Sequence, residues 1–330
     1  MRRPLALAAL VAAGALTLAG CSGGGTPSAT EPAPGATDGG NASGELTPIS
    51  VGVIPIVDVA AIYLGVEEGF FEEEGLDVTL ELAQGGAAIV PAVVSNEYQF
   101  GFSNVTSLLL ATNNGVPLQA VGAGNFTTGQ DPDIGAVVVP ADSDIQSAAD
   151  LGGRSVAVNT LNNIGDSTVR NVVDEAGGDS SGIQFVEMGF PDMPAAISGG
   201  QVEAAWILEP HLTRALQAGA RVVSWNFAET DPDLMISAYF TSQPFAAQSP
   251  EVVEAFTQAL NRSLDFAEEN PDATRAILGE YTQIDPAVAE AMTMPRFSSE
   301  FSTDTVQLLA DLALEYGMVD QEIDFSALVP

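Results

Sequence analysis

The chain has very little positive charge and almost no cysteine or histidine. Its 330 residues include one cysteine, one histidine and no lysine, and nine arginines stand against 44 acidic residues. A net charge of −35 argues against partners with anionic surfaces, such as nucleic-acid backbones. One cysteine cannot form an internal disulfide or a cysteine-based metal site. We therefore expect no metal, no other cofactor and no nucleic-acid partner.

The single cysteine, Cys21, follows a segment typical of a bacterial secretion leader. Arg2 and Arg3 supply a positive start, and the apolar run over residues 5–17 is too short to span a bilayer. Residues 18–21, Leu-Ala-Gly-Cys, resemble a lipobox, which predicts a signal peptide over residues 1–20 and lipidation of Cys21. The alternative is an ordinary leader followed by a buried cysteine. We expect an exported protein, lipid-anchored to the outer face of the cytoplasmic membrane on a periplasm or cell-wall side.

Beyond the leader, a tether precedes alternating strands and helices. Residues 21–47 are rich in Gly, Ser, Thr and Pro, which predicts a flexible tether. Strands are predicted at 49–54, 76–83, 98–103, 118–122 and 135–139, and helices at 59–74, 86–95 and 105–114. Residues 250–330 read as mainly helical, over 251–269, 272–281, 286–292 and 303–316. This alternation predicts an α/β fold with mostly parallel sheets.

Short apolar segments recur about one hundred residues apart. Those at 51–53, 76–83 and 99–103 have counterparts at 156–158, 183–190 and 203–207, with offsets of 105, 107 and 104 residues. The repeat predicts lobe 1 from residues 48–139 plus 240–330 and lobe 2 from residues 140–239. Crossings between them are expected near 139–141 and 238–241. A cleft between the lobes, at the carboxyl ends of the strands, is the expected ligand site.

Four segments in this order have a familiar arrangement: GFFEEEGLDV at 69–78, SNEYQFG at 95–101, DLGGR at 150–154, and GGQVEAAW at 199–206 followed by Glu209-Pro210. Together they resemble the solute-binding proteins of ABC importers of the nitrate, sulfonate and taurine type, a group that includes NMT1/THI5-like binders of pyrimidine precursors. Glu203 stands where an aspartate is usual. The resemblance implies a two-lobed type II periplasmic-binding-protein fold that closes on a ligand and delivers it to a permease.

The expected role is therefore a monomeric solute-binding component whose partners are a small molecule and the permease subunits. A small organic anion such as a sulfonate, taurine or nitrate is the first expectation for the ligand. A pyrimidine or thiamine precursor, or an aromatic carboxylate, is the alternative. An enzyme resembling the pyrimidine synthases of this fold is less favoured, since the chain offers one histidine and no free cysteine. A surface adhesin would need no cleft.

The candidate ligand-binding residues are glycines, short polar side chains and one aromatic ring that follow predicted strands. They are Asp58, Gly85, Gly86, Ser103, Asn104 and Phe126 in the first lobe, and Asn159, Thr160, Asn162, Asp192 and Glu209 in the second. Helix N-termini among them offer free N–H groups, which bind anions without arginine. Each polar residue has a structural alternative as a helix cap or turn. As carboxylates, Asp58 and Glu209 could instead bind an amine.

Four further side chains are ambiguous. Tyr63 is a candidate for stacking on a planar ligand, whereas Trp206 ends an apolar strand and is expected in the core. The lone His211 is weak evidence for catalysis or a metal, and no catalytic residue is assigned. Arg214 could reach the cleft as an anion clamp, although a surface pair with an acid is favoured.

Overall fold

Two five-stranded sheets form the framework of the protein. The structure, a computed structural model, describes residues 45–330. The expected signal peptide, Cys21 and nearly all of the tether lie outside the described residues. The strands are β1 Thr47–Val53, β2 Leu76–Leu82, β3 Phe100–Asn104, β4 Leu118–Ala123, β5 Gly135–Val139, β6 Ser155–Val158, β7 Gln184–Glu187, β8 Ala204–Leu208, β9 Arg221–Ser224 and β10 Ser237–Ser242.

Helices connect and cover these strands. They are α1 Ala60–Glu67, α2 Phe70–Glu73, α3 Gly86–Val94, α4 Val105–Asn113, α5 Ile164–Glu175, α6 Met193–Ser198, α7 His211–Gln217, α8 Asn226–Thr230, α9 Gln243–Gln248, α10 Pro250–Glu269, α11 Pro271–Ala276, α12 Leu278–Tyr281, α13 Pro286–Ala291 and α14 Thr303–Glu315. Short 3-10 turns lie at Val57–Val59, Ala148–Leu151, Ser180–Gly182 and Phe190–Asp192. Within residues 45–330, no helix is both long and apolar enough to cross a bilayer.

The two sheets have the same strand order. The first runs β2-β1-β3-β10-β4 and the second β7-β6-β8-β5-β9, so β6–β9 repeat β1–β4 and β5 takes the place of β10. Val51 pairs with Phe100 in the first sheet, and Val156 pairs with Ala204 in the second. Equivalent positions are therefore 104 or 105 residues apart, which is the spacing of the repeat in the sequence.

Each sheet contains one antiparallel strand, where the sequence predicts mostly parallel pairing. β10 runs opposite to β3 and β4, and β5 runs opposite to β8 and β9. Both are the first strands after the chain crosses between sheets. β5 begins opposite the end of β8, at the pair Gly135 and Leu208, and β10 begins opposite the end of β3. A chain that enters a sheet at the carboxyl ends of its strands has to run against them.

This topology corrects the expected crossings. β5, assigned from the sequence to the first lobe, lies in the second sheet, and β10 is already in the first sheet at Ser237. The crossings are therefore residues 124–134 and residues 225–236, not 139–141 and 238–241. All five residues of β5 are buried. A fully apolar strand fits either sheet equally well, so its pattern does not show which sheet it joins.

Two predicted elements are interrupted. The expected helix at 59–74 is broken at Gly69, whose φ of 78° takes the left-handed conformation that glycine adopts readily. The expected strand at 183–190 ends at Glu187, because a 3-10 turn with Pro191 begins at Phe190. That early end places residues 187–191 at the edge of the second sheet that faces the first.

The long helix α10 anchors the C-terminal region to the first sheet. It packs along α1, and Phe256 stacks on Phe100 of β3 with ring centroids 3.8 Å apart and planes inclined by 7°. Helix α14 contacts both α4 and α5, which follow β3 and β6. The C-terminal helices therefore support the first sheet and also reach the second.

Candidate functional site

Two adjoining cavities lie between the carboxyl ends of the two sheets. The outer cavity, of about 290 Å³, is lined by residues 54–56, Ala83 and Gln84 on one side and by Asn159, residues 187–191 and His211 on the other. The inner cavity, of about 30 Å³, continues it toward the sheets. Both share Ile54, Ile56, Asn159 and Phe190. The outer volume is near the lower end for small-molecule sites, which indicates a ligand of modest size.

The inner cavity has aromatic walls. They are formed by Phe102, Phe190, Trp206 and Phe227. The Trp206 ring meets those of Phe190 and Phe227 edge to face, with centroids 5.6 Å apart in both cases. Trp206 is 1% exposed, and its Nε1–H has no hydrogen-bond partner within residues 45–330. A buried donor without a partner is uncommon, and in a cavity wall it is free to bind a ligand.

Asp58 brings the one carboxylate of the inner cavity. It lies in the 3-10 turn Val57–Val59 that follows β1, and does not cap a helix as the structural alternative proposed. The side chain is 2% exposed, and among the described residues its Oδ2 has no hydrogen-bond partner. Burial raises the pKa of Asp58 from 3.8 to about 7, Asp133 adds to the rise, and the backbone and Asn125 oppose it. Such a carboxyl is stabilised in its charged form by a cation or a strong donor.

Three of the expected residues line the cavities: Asp58, Asn104 and Asn159. Gly85 lies where the two lobes meet, since a Cβ placed on it would be 3.9 Å from Asn159 Nδ2 and 3.9 Å from Thr160 Oγ1. Asp58, Gly85 and Asn104 belong to the first lobe, whereas Asn159 and Thr160 belong to the second. The predicted cleft therefore exists, and here its two sides are in contact.

Helices α4 and α5, which begin at the cleft, are capped by asparagine side chains of the protein itself. Asn104 Oδ1 accepts a hydrogen bond from the Ser107 amide at 2.9 Å at the start of α4. Asn163 Oδ1 accepts from the Ile164 amide at the start of α5, and its Nδ2 donates to Ser107 Oγ at 2.9 Å across the cleft. Each helix N-terminus therefore has one fewer free N–H for an anion, and Asn163 links the two lobes.

Ser103 and Gly86 pack against each other at the edge of the cleft. Ser103 is fully buried in β3, and a Cβ on Gly86 would overlap its Oγ. Neither residue lines a cavity. Gly86 therefore allows α3 to approach β3 closely, and the Ser103 hydroxyl has no partner within the described residues.

Four further expected residues, Asn162, Asp192, Phe126 and Glu209, also lie outside both cavities. Asn162 and Asp192 are exposed, and the Asn162 amide donates to Asp166 Oδ2 at 2.9 Å. Phe126 lies in the first crossing and lines a separate cavity of about 320 Å³ beside Arg296. Glu209 is buried, but its oxygens accept from the Thr213 hydroxyl, the Thr213 amide and the Thr293 amide, at 2.8, 3.0 and 3.3 Å.

Of the ambiguous side chains, Trp206 is both core and cavity wall. Tyr63 stacks on Tyr281, with centroids 3.9 Å apart, and does not line either cavity. His211 lines the outer cavity, and burial with a contribution from Arg214 lowers its pKa to about 4, so the imidazole is neutral at physiological pH. Arg214 is exposed and does not line either cavity.

The aromatic wall is what the sequence reasoning missed. Phe190 follows β7 and would have been selected by the strand-end rule if the end of that strand had been placed at Glu187. Phe102 lies inside β3, and its side chain reads as ordinary core. Phe227 comes from α8 in the second crossing, and no local pattern points to it. Neither cavity has an arginine in its lining.

Two similar lobes that enclose a cavity at the carboxyl ends of their strands define a type II periplasmic-binding-protein architecture. The family model described as NMT1/THI5 like matches residues 56–274, and the chain belongs to this family. The formylaminopyrimidine-binding protein of Halalkalibacterium halodurans is 24% identical over 221 residues, covering 66% of this chain. That match spans 64% of the relative's length, slightly under two thirds.

Solved structures show the same fold. The alkanesulfonate-binding protein SsuA of Xanthomonas axonopodis pv. citri, bound to MOPS, has a TM-score of 0.73 at 19% identity, covering 87% of this chain and 99% of its own. The periplasmic nitrate-binding protein NrtA of Synechocystis PCC 6803 has a TM-score of 0.68 at 14% identity, covering 86% of each chain. The predicted two-lobed α/β fold and the family resemblance are confirmed.

Proposed function

We propose that this protein is the solute-binding component of an ABC importer and that its ligand is a small planar nitrogen heterocycle bearing an amine, such as an aminopyrimidine. The observation that carries the ligand class is Asp58, a buried carboxylate with a free oxygen in a cavity without arginine. The role in import is supported by the two-lobed fold and by the family.

Charge favours an amine over the organic anion expected from the sequence. The acidic residues that line the cavities are Asp58 and Glu187, and His211 is neutral above about pH 4. An anion enclosed there would lose its hydration and gain no positive partner, which is costly in a buried site. An amine or ring N–H would instead supply the hydrogen bond that Asp58 Oδ2 lacks.

Shape and polarity agree with a flat ring. Phe190 and Trp206 offer faces and edges for an aromatic ligand, and Trp206 Nε1–H and the Asn159 amide add directed polar contacts. A pyrimidine has donors and acceptors around its rim, so it would satisfy these groups in one plane. One relative is named for binding a formylaminopyrimidine, which supports this class of ligand.

We propose binding and not catalysis, together with export and attachment to the membrane through Cys21. The relative named above is a binding protein. The secretion leader and the Leu-Ala-Gly-Cys segment at 18–21 support export and the lipid anchor. At the membrane the closed protein would present its ligand to the permease subunits, and the ligand would leave when the lobes separate.

Isothermal titration calorimetry with a ligand panel tests this proposal. The panel contains an aminopyrimidine, its N-formyl derivative, taurine, an alkanesulfonate and nitrate. We expect binding of the pyrimidines and a loss of about 10- to 100-fold in affinity in Asp58→Asn, the range of a hydrogen bond to a charged group. Asp192→Asn, an exposed carboxylate outside the cavities, is the matched control and should bind as the wild type does.

Three outcomes would contradict the proposed ligand. One is tight binding of taurine, sulfonate or nitrate with no response to the pyrimidines. Another is pyrimidine binding that Asp58→Asn leaves unchanged. The third is silence across the whole panel, which would also remove the ligand class.

A further inference from the structure

The two crossings between the lobes are joined to each other and to a C-terminal segment. Beyond the end of the first sheet, the Thr127 amide donates to the Leu234 carbonyl at 3.0 Å, and Phe126 pairs with Met235. On its other edge Phe126 pairs with Arg296, through hydrogen bonds of 2.9 and 3.3 Å in the two directions. Residues 124–127, 234–236 and 296 thus form a small ladder that extends the first sheet toward the second.

The Arg296 side chain also reaches both crossings. Its Nε donates to the Thr127 carbonyl at 2.8 Å, and its Nη2 donates to the Pro232 carbonyl at 3.2 Å. The same Nη2 lies 3.2 Å from Asp233 Oδ1. The planar guanidinium can hold two carbonyl groups from different segments at fixed separation, which a lysine ammonium does poorly.

The segment that carries Arg296 connects the two lobes. We call residues 293–297 the strap. At one end the Thr293 amide donates to Oε1 of Glu209, which follows β8 in the second lobe. At the other end the Phe297 amide donates to Oε2 of Glu268, on α10 against the first lobe, at 2.7 Å. Arg296 therefore lies between a contact to each lobe.

A second tie joins the crossings nearer the second sheet. Asp133 is fully buried and accepts hydrogen bonds from the Thr128 amide at 2.9 Å and from the Ala228 amide at 3.2 Å. Thr128 is in the first crossing and Ala228 in the second. The two crossings are therefore tied to each other at two points, by Arg296 through residues 127 and 232 and by Asp133 through residues 128 and 228.

We propose that Arg296 is a positioning residue for lobe closure: it fastens both crossings to the strap and keeps the Thr293 amide in reach of Glu209. This proposal rests on the proposed function in one respect: closure of the lobes is what retains the ligand. Arg296 does not line either ligand cavity. Its loss should free the strap and favour separation of the lobes.

The test measures the distance between the lobes without any ligand. Spin labels on exposed residues Val94 in α3 and Ser198 in α6, in the full chain carrying Cys21→Ser, report opening by pulsed electron paramagnetic resonance. We expect Arg296→Met to lower the closed-to-open ratio about tenfold, the effect of losing a charge-assisted hydrogen bond. Hydrogen exchange should rise in both crossings.

Matched variants separate this role from simple destabilisation. Arg214→Met removes an exposed arginine of the second lobe and should leave the distance distribution unchanged. Asp233→Asn removes only the exposed ion-pair partner and should have little effect, because exposed pairs contribute little. Arg296→Lys should lie between the wild type and Arg296→Met.

The proposal is overturned if Arg296→Met has the wild-type distribution, or if Asp233→Asn opens the lobes as much. If Arg296→Met does not fold, the distance distribution of Arg296→Lys tests the proposal instead. A wild-type distribution in Arg296→Lys would then overturn the proposal. Because no ligand is used, failure of the calorimetric panel leaves this result intact, and an unchanged distance leaves the ligand assignment intact.

Discussion

The two lobes place the same strand positions at the cavities but give them different side chains. Ile54 and Asn159 are equivalent positions at the ends of β1 and β6, and both line both cavities. Asn104 and Leu208, at the ends of β3 and β8, also correspond. In each pair one lobe is polar where the other is apolar.

Phe102 and Trp206 form a third equivalent pair, and both line the inner cavity. Here both lobes keep an aromatic ring, but only the second lobe adds an N–H. The repeat therefore builds the cleft, whereas the different side chains at the strand ends decide which ligand the cleft can hold. The residues at the strand ends are free to differ because the backbone hydrogen bonds between strands and the buried residues at the strand centres hold each sheet together.

The largest expected effect comes from removing the aromatic pair. Trp206→Ala and Phe102→Ala each delete a buried ring and should each lower the free energy of unfolding by about 3–5 kcal/mol, measured by urea denaturation. Trp206→Phe keeps a ring and should cost much less, but it should weaken pyrimidine binding because Nε1–H is lost. Unchanged binding in Trp206→Phe would remove the proposed role of the indole.

The next effect compares two buried carboxylates, Asp58 in the first lobe and Asp166 in the second. Burial raises their pKa values from 3.8 to about 7 and about 6, and Arg170 opposes the rise at Asp166. Between pH 3.8 and these raised pKa values, the folded protein therefore binds more protons than the unfolded chain. The contribution of the two carboxyls to the free energy of unfolding falls as the pH rises from 4 to 7.

Asparagine variants measure that contribution. Between pH 4 and pH 8, the free energy of unfolding of the wild type should fall by up to about 4 kcal/mol relative to that of Asp58→Asn. Relative to Asp166→Asn it should fall by up to about 3 kcal/mol, because each pKa unit corresponds to about 1.36 kcal/mol. Denaturant unfolding at both pH values gives the difference. Parallel pH profiles for wild type and Asp58→Asn would contradict the raised pKa.

Two glycines give a smaller contrast. A Cβ on Gly165 in α5 would overlap the Trp206 ring, so Gly165→Ala should destabilise by about 1–3 kcal/mol and narrow the inner cavity. Gly85→Ala meets only van der Waals contacts near 3.9 Å on extended backbone, and should be neutral or stabilise by about 0.5 kcal/mol. Thermal melts of both variants check the order, and equal losses would contradict it.

The last comparison concerns the caps of α4 and α5. Asn104→Ala and Asn163→Ala should each cost about 1 kcal/mol, the usual contribution of an N-cap. Only Asn163 also donates across the cleft to Ser107, so only its variant should lengthen the distance between the lobes. Opening in both variants to the same extent would show that capping alone controls closure.

Much of the local structure followed from the chain itself. The strands predicted at 49–54, 76–83, 98–103 and 118–122 correspond to β1 to β4, and the helices predicted at 105–114 and 251–269 end within one residue of α4 and α10. Asp58, Asn104 and Asn159 were reached by asking which polar groups follow strands. The strand and helix predictions succeed because hydrophobic period and turn chemistry act over a few residues.

The rest required contacts between distant residues. No residue near β5 shows that this strand joins the second sheet, and no residue near Glu209 shows that the distant Thr293 amide donates to its carboxylate. The hydroxyl and backbone amides that satisfy a buried carboxylate decide whether it faces a ligand. Such partners come from any part of the chain, so a sequence pattern around the carboxylate cannot reveal them.

The sequence alone established an acidic chain with a repeated α/β pattern, and from that repeat it predicted a cleft between two halves. The tertiary structure alone decided the direction of β5 and β10, the aromatic wall around Asp58 and the strap at Arg296. The physical reason is range. Propensity and periodicity act between neighbours, whereas enclosure, desolvation of a carboxylate and the joining of two crossings arise only when remote segments pack together.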